Sequence, residues 1–188
     1  MRLPATFSYA QARQAGLSKH QLYKLRDAGT IEAFSHGLYR RAGGAPVDLE
    51  LLEAATRSTR CTLCLATALS RHGLCDEIST GPDLALPRGT RAPATTAPIT
   101  WHWFNPETFE IGRQELRLDA RLAIGIYSAE RCIIDAYRTR GLGHHELANH
   151  ALKRWLRRRD SQPSTLLQMA KRFPRALTPL RTALEILL

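Results

Sequence analysis

Nowhere in these 188 residues does an apolar run approach the roughly 18 consecutive positions that a membrane-spanning helix requires. The opening stretch, MRLPATFSYAQARQAG, also lacks the apolar centre of a secretory signal, so the chain is expected in the cytoplasm. Acidic side chains are in short supply: 17 Asp and Glu stand against 27 Lys and Arg, which leaves a net charge of +10. A surplus of that size favours a polyanionic partner through long-range attraction and counterion release, with nucleic acid first and an acidic protein or membrane surface second. Hydrophobic residues make up 44% of the chain, enough to bury a core, so a globular protein of one ordinary domain or two small ones is expected rather than a disordered chain.

Cysteine occurs only at Cys61, Cys64, Cys75 and Cys132. The Cys61-x-x-Cys64 pair would need a second pair of ligands to hold zinc, and only His72 and Cys75 lie nearby, at a spacing unusually short for a zinc finger. The four are read as small apolar packing residues on helices, and no metal or other cofactor is assigned.

Catalytic signatures are missing as well. There is no P-loop, no Gly-x-Gly-x-x-Gly, no Gly-x-Ser-x-Gly and no His-Glu-x-x-His. Metal-assisted phosphodiester hydrolysis needs clustered carboxylates and a lysine, yet QELRLDA offers Glu115 and Asp119 with arginines between them, and Glu-x-Lys occurs nowhere. His102 reads as one face of a strand, and His144 and His145 as a helix start. The chain is therefore expected not to be an enzyme. A winged-helix protein with a nuclease-like second domain and a pure protein-interaction module remain as alternatives.

What is present is concentrated between Ser8 and Arg41. Ser8 can cap a short helix from about Tyr9 to Ala15, with Gly16 ending it; Ser18 can cap a second, with Leu22 and Leu25 facing inward and Gly29 stopping it. Two short helices across a glycine turn make a helix-turn-helix. On the second helix His20, Tyr23, Lys24 and Asp27 point away from the leucines, with Ser18 and Lys19 at the exposed N-terminal end. Ile31 to Phe34 and Leu38 to Arg40 can pair as a hairpin through Ser35-His36-Gly37, which would form a wing. The candidate DNA-binding residues are thus Ser18, Lys19, His20, Tyr23, Lys24, His36, Arg40 and Arg41. The lysines suit phosphates or guanine edges, His20 and Tyr23 suit hydrogen bonds or a thymine methyl, and His36, Arg40 and Arg41 suit the flanking backbone.

Gly43, Gly44 and Pro46 break the chain next and divide it into domains at 1–44 and 45–188. VDLELLEAATRS and CTLCLATALSRHGL read as helices, the first with Leu49, Leu52 and Ala55 on one face and the second with Leu65, Ala68 and Leu69. From Ile78 to Tyr127 five prolines exclude long helices, while ITWHWF, QELRLDA and LAIGIY look like strands. Helices return in SAERCIIDAYRTR, GHHELANHALKRWLRRR, PSTLLQMAKRF and PRALTPLRTALEILL. The second of these carries an apolar stripe of Leu147, Ala151, Leu152, Trp155 and Leu156, and its Arg154, Arg157, Arg158 and Arg159 are a possible partner-binding cluster or a charged helix end. The expected class is α+β: a winged helix-turn-helix, then a mixed domain with a small sheet and a helical C-terminal third.

The segment FSYAQARQAGLSKHQLYKLRDAGTIEAFSHGLYRRAG resembles the N-terminal winged helix of AbiEi-type antitoxins, with its Gly-Leu-Ser turn, basic helix, Ala-Gly stop and Gly-apolar-Tyr strand. LATALSRHGL resembles that family's Ser/Thr-Ala-Leu segment, and YSAERCIIDAYRTR its Glu-Arg-Thr-Ile-x-Asp helix start, with Cys132 in place of threonine. The resemblance implies a two-domain bacterial antitoxin that represses its own operon through operator DNA and counteracts a nucleotidyltransferase-like toxin encoded beside it. Glu130, Arg131 and Asp135 fall in the matching motif, but Arg131 and Asp135 are also spaced as an ordinary helical pair, and a structural role is expected.

Overall fold

The computed structural model describes residues 3–43, 48–76, 80–139 and 144–188, with only the backbone at His144. Of the break expected to separate two domains, Gly43 is described and Gly44 and Pro46 lie outside the described residues.

The N-terminal part runs β1 (Thr6–Ser8), α1 (Tyr9–Gln14), α2 (Lys19–Asp27), β2 (Ile31–Ser35) and β3 (Leu38–Arg41). Both helices begin with a full capping box. The Ser8 hydroxyl accepts from the Gln11 amide while the Gln11 side chain accepts from the Ser8 amide, and Ser18 and Gln21 repeat this on α2. Both end at a glycine with positive φ, +90° at Gly16 and +68° at Gly29. That conformation lets Leu17 N–H reach Ala12 O and Thr30 N–H reach Leu25 O, each at 3.0 Å, which closes the last turn. The strands form an antiparallel sheet in the order β1-β3-β2. Phe7, Ala12, Leu22, Ile31 and Tyr39 make its core, with Phe7 stacked on its register partner Tyr39. This is a winged helix-turn-helix. Its first strand was not expected from the sequence, because three residues carry too little alternation to be seen.

The remainder is built from α3 (Leu49–Arg57), β4 (Thr62–Leu63), α4 (Leu65–Arg71), β5 (Asp83–Pro87), β6 (Thr100–Phe104), α5 (Pro106–Phe109), β7 (Arg113–Arg117), β8 (Ala123–Tyr127), α6 (Ala129–Arg138), α7 (His144–Leu156), α8 (Pro163–Ala170) and α9 (Pro174–Leu187). A mixed sheet of order β6-β5-β4-β8-β7 is backed by helices, and α6 packs against α4, α7, α8 and α9. Arg131 and Asp135 are fully buried on α6, with the Arg131 guanidinium over the rings of Tyr127 and Phe173.

Several expectations need correction. CTLCLATALSRHGL is not one helix: Thr62–Leu63 is the middle strand of the sheet, and the helix starts only at Leu65. A short run buried throughout, as Cys61 to Leu65 is, has no periodicity to separate strand from helix. Cys61 and Cys64 consequently flank a strand, although both are buried. DLALP forms β5, whose Leu84, Ala85 and Leu86 are wholly buried, with Pro87 tolerated at its last position. Leu49 is 40% exposed, and the buried residues of α3 are Leu51, Leu52, Ala54 and Ala55 together with the carboxylate of Glu53. The basic helix ends at Leu156, so Arg157, Arg158 and Arg159 sit in the turn that leads to α8. The stripe on α7 is as expected, with Leu147, Ala151, Leu152 and Trp155 buried.

Candidate nucleic-acid interface

Residues 1–43 carry seven Lys and Arg against two Asp and Glu, a net +5 and half of the chain's +10. The capping box and the Gly29 stop fix α2, and burial of Leu22 fixes its rotation. What faces outward follows from the spacing. Lys19, Tyr23 and Arg26 form one stripe at i, i+4 and i+7, with His20, Lys24 and Asp27 in an adjacent one, and all six are exposed.

The first stripe is ordered by the aromatic ring. Lys19 Nζ lies 5.6 Å from the centroid of Tyr23, and the Arg26 guanidinium lies 4.7 Å from it. Two cations held on one exposed ring make a compact positive surface. Arg26 was absent from the residues picked out in the sequence, although the Tyr23-x-x-Arg26 spacing was visible. It also answers for Asp27: the Arg26 guanidinium donates to Asp27 Oδ1 at 2.8 and 3.0 Å, so the one acid on this face is exposed but paired with its neighbour. That hydrogen bond raises the Arg26 pKa further above a value at which the group is charged already.

The other picked residues are placed less uniformly. Ser18 Oγ accepts from the Gln21 amide at 3.1 Å, so its oxygen belongs to the cap and only its hydrogen remains to be offered outward. Arg40 reaches across the wing to Glu32, its register partner, at 3.0 Å. Arg41 is exposed and donates to Leu3 O at 2.9 Å. The His36 side chain is exposed, but the turn that carries it is held: Arg57 donates to His36 O at 3.2 Å and to Ser35 Oγ at 3.1 Å. Lys19, His20, Tyr23 and Lys24 are therefore brought together on one helix face, whereas Arg40 and Arg41 bond within the protein and the His36 side chain stands exposed on a turn held by its backbone.

Of the C-terminal arginines, Arg154 makes a two-pronged pair with Asp76, and Arg158 donates to the carbonyl of His72. Both serve the fold. Arg157 and Arg159 are exposed. Among the described residues no group of three or more His, Cys, Asp and Glu side chains is placed to hold a metal ion, and no helix is long and apolar enough to cross a membrane.

Residues 2–42 match the family of transcriptional regulators described as AbiEi antitoxin. The match stops one residue after β3, so it spans all of the small sheet, both capped helices and the basic face of α2. The fold beyond it has a counterpart: the crystal structure of the RV2827C protein from Mycobacterium tuberculosis superposes with a TM-score of 0.58 over 96% of this chain and 72% of that one. The two share 16% sequence identity, so the likeness is one of fold. No curated protein sequence matches the chain.

Proposed function

We propose that this protein is a two-domain antitoxin whose N-terminal winged helix, residues 1–44, binds the operator of its own operon and represses it. Residues 45–188 form the second domain and counter a nucleotidyltransferase-like toxin encoded beside it. The observation that carries this reading is the cationic face of α2, set on a winged helix that matches a family of antitoxin regulators. In this reading the N-terminal half of α2 enters the major groove. Lys19 and Lys24 reach guanine edges or phosphate, His20 and Tyr23 add hydrogen bonds or contact a thymine methyl, and Arg26 meets the backbone beside them. Arg40, Arg41 and the His36 side chain lie toward the flanking strand. The protein acts by binding and not by catalysis, in the cytoplasm, and needs no cofactor or metal.

For the toxin, Arg157 and Arg159 are the cations of the C-terminal cluster that remain exposed after Arg154 and Arg158 are spent on the fold, and they are the proposed contact with an acidic or phosphate-bearing partner. The test is to express the neighbouring reading frame alone and together with this chain. Growth arrest by the neighbour, relieved by the full-length protein, is the expected result. A neighbour that leaves growth unaffected, or arrest that this chain does not relieve, would contradict the reading.

A further inference from the structure

Glu53 is a carboxylate in an unlikely place. It sits on α3 between Leu52 and Ala54 with its side chain 3% exposed, where a charge left without partners would be strongly destabilising. Its oxygens are satisfied by donors from three separate segments. The Ser35 hydroxyl of the wing donates at 2.5 Å, the Thr96 and Ala97 amides at 2.8 and 3.2 Å, and Arg57 Nε, one turn along α3, at 3.2 Å. Arg57 then extends to the wing itself and donates to Ser35 Oγ and His36 O. Thr96 Oγ1 closes the ring at 3.1 Å from Ser35 Oγ.

The wing is shaped to meet this cluster. Its pairing is irregular between Ala33 and Ser35, and a bulge at that point re-aims a side chain relative to the regular pleat. On the far side of the turn Gly37 O accepts from Tyr9 N–H at 2.8 Å, so the tip is also tied to the start of α1. A two-stranded hairpin is only marginally stable by itself, and this one has five and four residues.

We infer that Glu53 and Arg57 are positioning residues for duplex binding: they clamp the turn of the wing to α3 and hold it in its binding shape before DNA arrives. The inference rests on the DNA-binding reading above. Its physical content is preorganisation. A wing already ordered in the free protein does not have to be ordered at the moment of binding, so less of the contact energy is spent on lost freedom. The clamp also assigns the backbone of the His36–Gly37 turn to the protein's own interior contacts, which leaves the His36 side chain and the strands, rather than the turn carbonyls, to face the duplex.

The test uses full-length protein and two readouts, amide hydrogen exchange in the wing without DNA and affinity for a fluorescent duplex. Ser35→Ala and Arg57→Ala are expected to speed exchange across residues 34–39 by about tenfold, the factor that about 1.4 kcal/mol of lost hydrogen bonding provides. Duplex affinity should fall by about three- to tenfold, and in Ser35→Ala, which leaves the Glu53–Arg57 pair in place, exchange in α6 and the unfolding temperature stay near the unaltered values. Glu53→Gln should act in the same direction; if it fails to fold, the part-exposed Ser35→Ala still decides. Unchanged wing exchange, or faster exchange with undiminished affinity, would overturn the positioning role and leave DNA binding intact. An unaltered protein that binds no duplex would remove the functional reading together with the positioning role, and would be recognised before any variant was made.

Discussion

Arg131 and Asp135, one turn apart on α6, are joined by two hydrogen bonds of 3.0 Å where solvent does not reach either side chain. Arg131 also donates to Thr108 O and Ile111 O at 2.7 and 2.6 Å, and its guanidinium lies 4.4 Å from the ring centre of Tyr127 and 4.3 Å from that of Phe173. Arg138 adds a second donor to Asp135 at 2.6 Å. Glu130, first in the same motif, accepts from Trp155 Nε1 at 3.2 Å and ties α6 to α7. The motif therefore joins a helix, a turn and an aromatic pair into one unit. Its place in the core accounts for it without any reaction.

Removing one partner should be severe. Asp135→Asn or Arg131→Met leaves a buried charge uncompensated and should cost about 3–5 kcal/mol in urea unfolding. Arg131→Lys should rescue little of this, because a single ammonium cannot span the carboxylate and two carbonyls together. A loss below about 1 kcal/mol would show the pair to be less isolated from water than its geometry indicates.

The Tyr23 ring and its hydroxyl can be separated. If the ring orders Lys19 and Arg26, Tyr23→Phe keeps duplex affinity within about twofold, while Tyr23→Ala loses about 1 kcal/mol. Equal losses in both variants, measured by anisotropy titration, would assign the effect to the hydroxyl instead.

Burial pushes the Cys61 thiol up to about 11, and pushes those of Cys64 and Cys132 well above the usual thiol range. The thiolate is the reactive form, so at pH 8 none of these three should react with a thiol reagent in the folded protein, whereas all should in denaturant. Rapid native labelling of Cys61 or Cys64 would contradict the packing role given to both.

Burial raises the Glu53 carboxyl, but the hydrogen bonds from Ser35, Thr96, Ala97 and Arg57 outweigh it and leave the group below its ordinary 4.5. A depressed folded value means the stabilisation is fully present above the unfolded value and is lost as pH falls through the folded one. Acid unfolding below pH 4.5 should thus be shallower in Glu53→Gln than in the unaltered protein. Parallel curves would show that Glu53 takes no part in it.

The legible part of the fold was the part written in local chemistry. Ser8, Gly16, Ser18 and Gly29 announced two capped helices, and the apolar stripe on α7 announced which side faces inward. What was hidden depended on distant chain. Thr62–Leu63 is a strand only because β5 and β8 flank it, and β1 only because β3 waits across from it. The site divides in the same way. The outward face of α2 follows from spacing, but the part of Arg26 depends on where its guanidinium lies between the Tyr23 ring and Asp27, and the engagement of the wing tip required α3 and Thr96 to be in place.

Whether α2 binds the duplex is decided by the affinity of the full-length Lys19→Ala/Lys24→Ala variant, followed against salt concentration. The expected result is a folded protein that binds the operator at least about tenfold more weakly, with a salt slope reduced by about one to two units as phosphate contacts are lost. A folded double variant with the affinity and salt slope of the unaltered protein would contradict the assignment of α2 as the recognition helix.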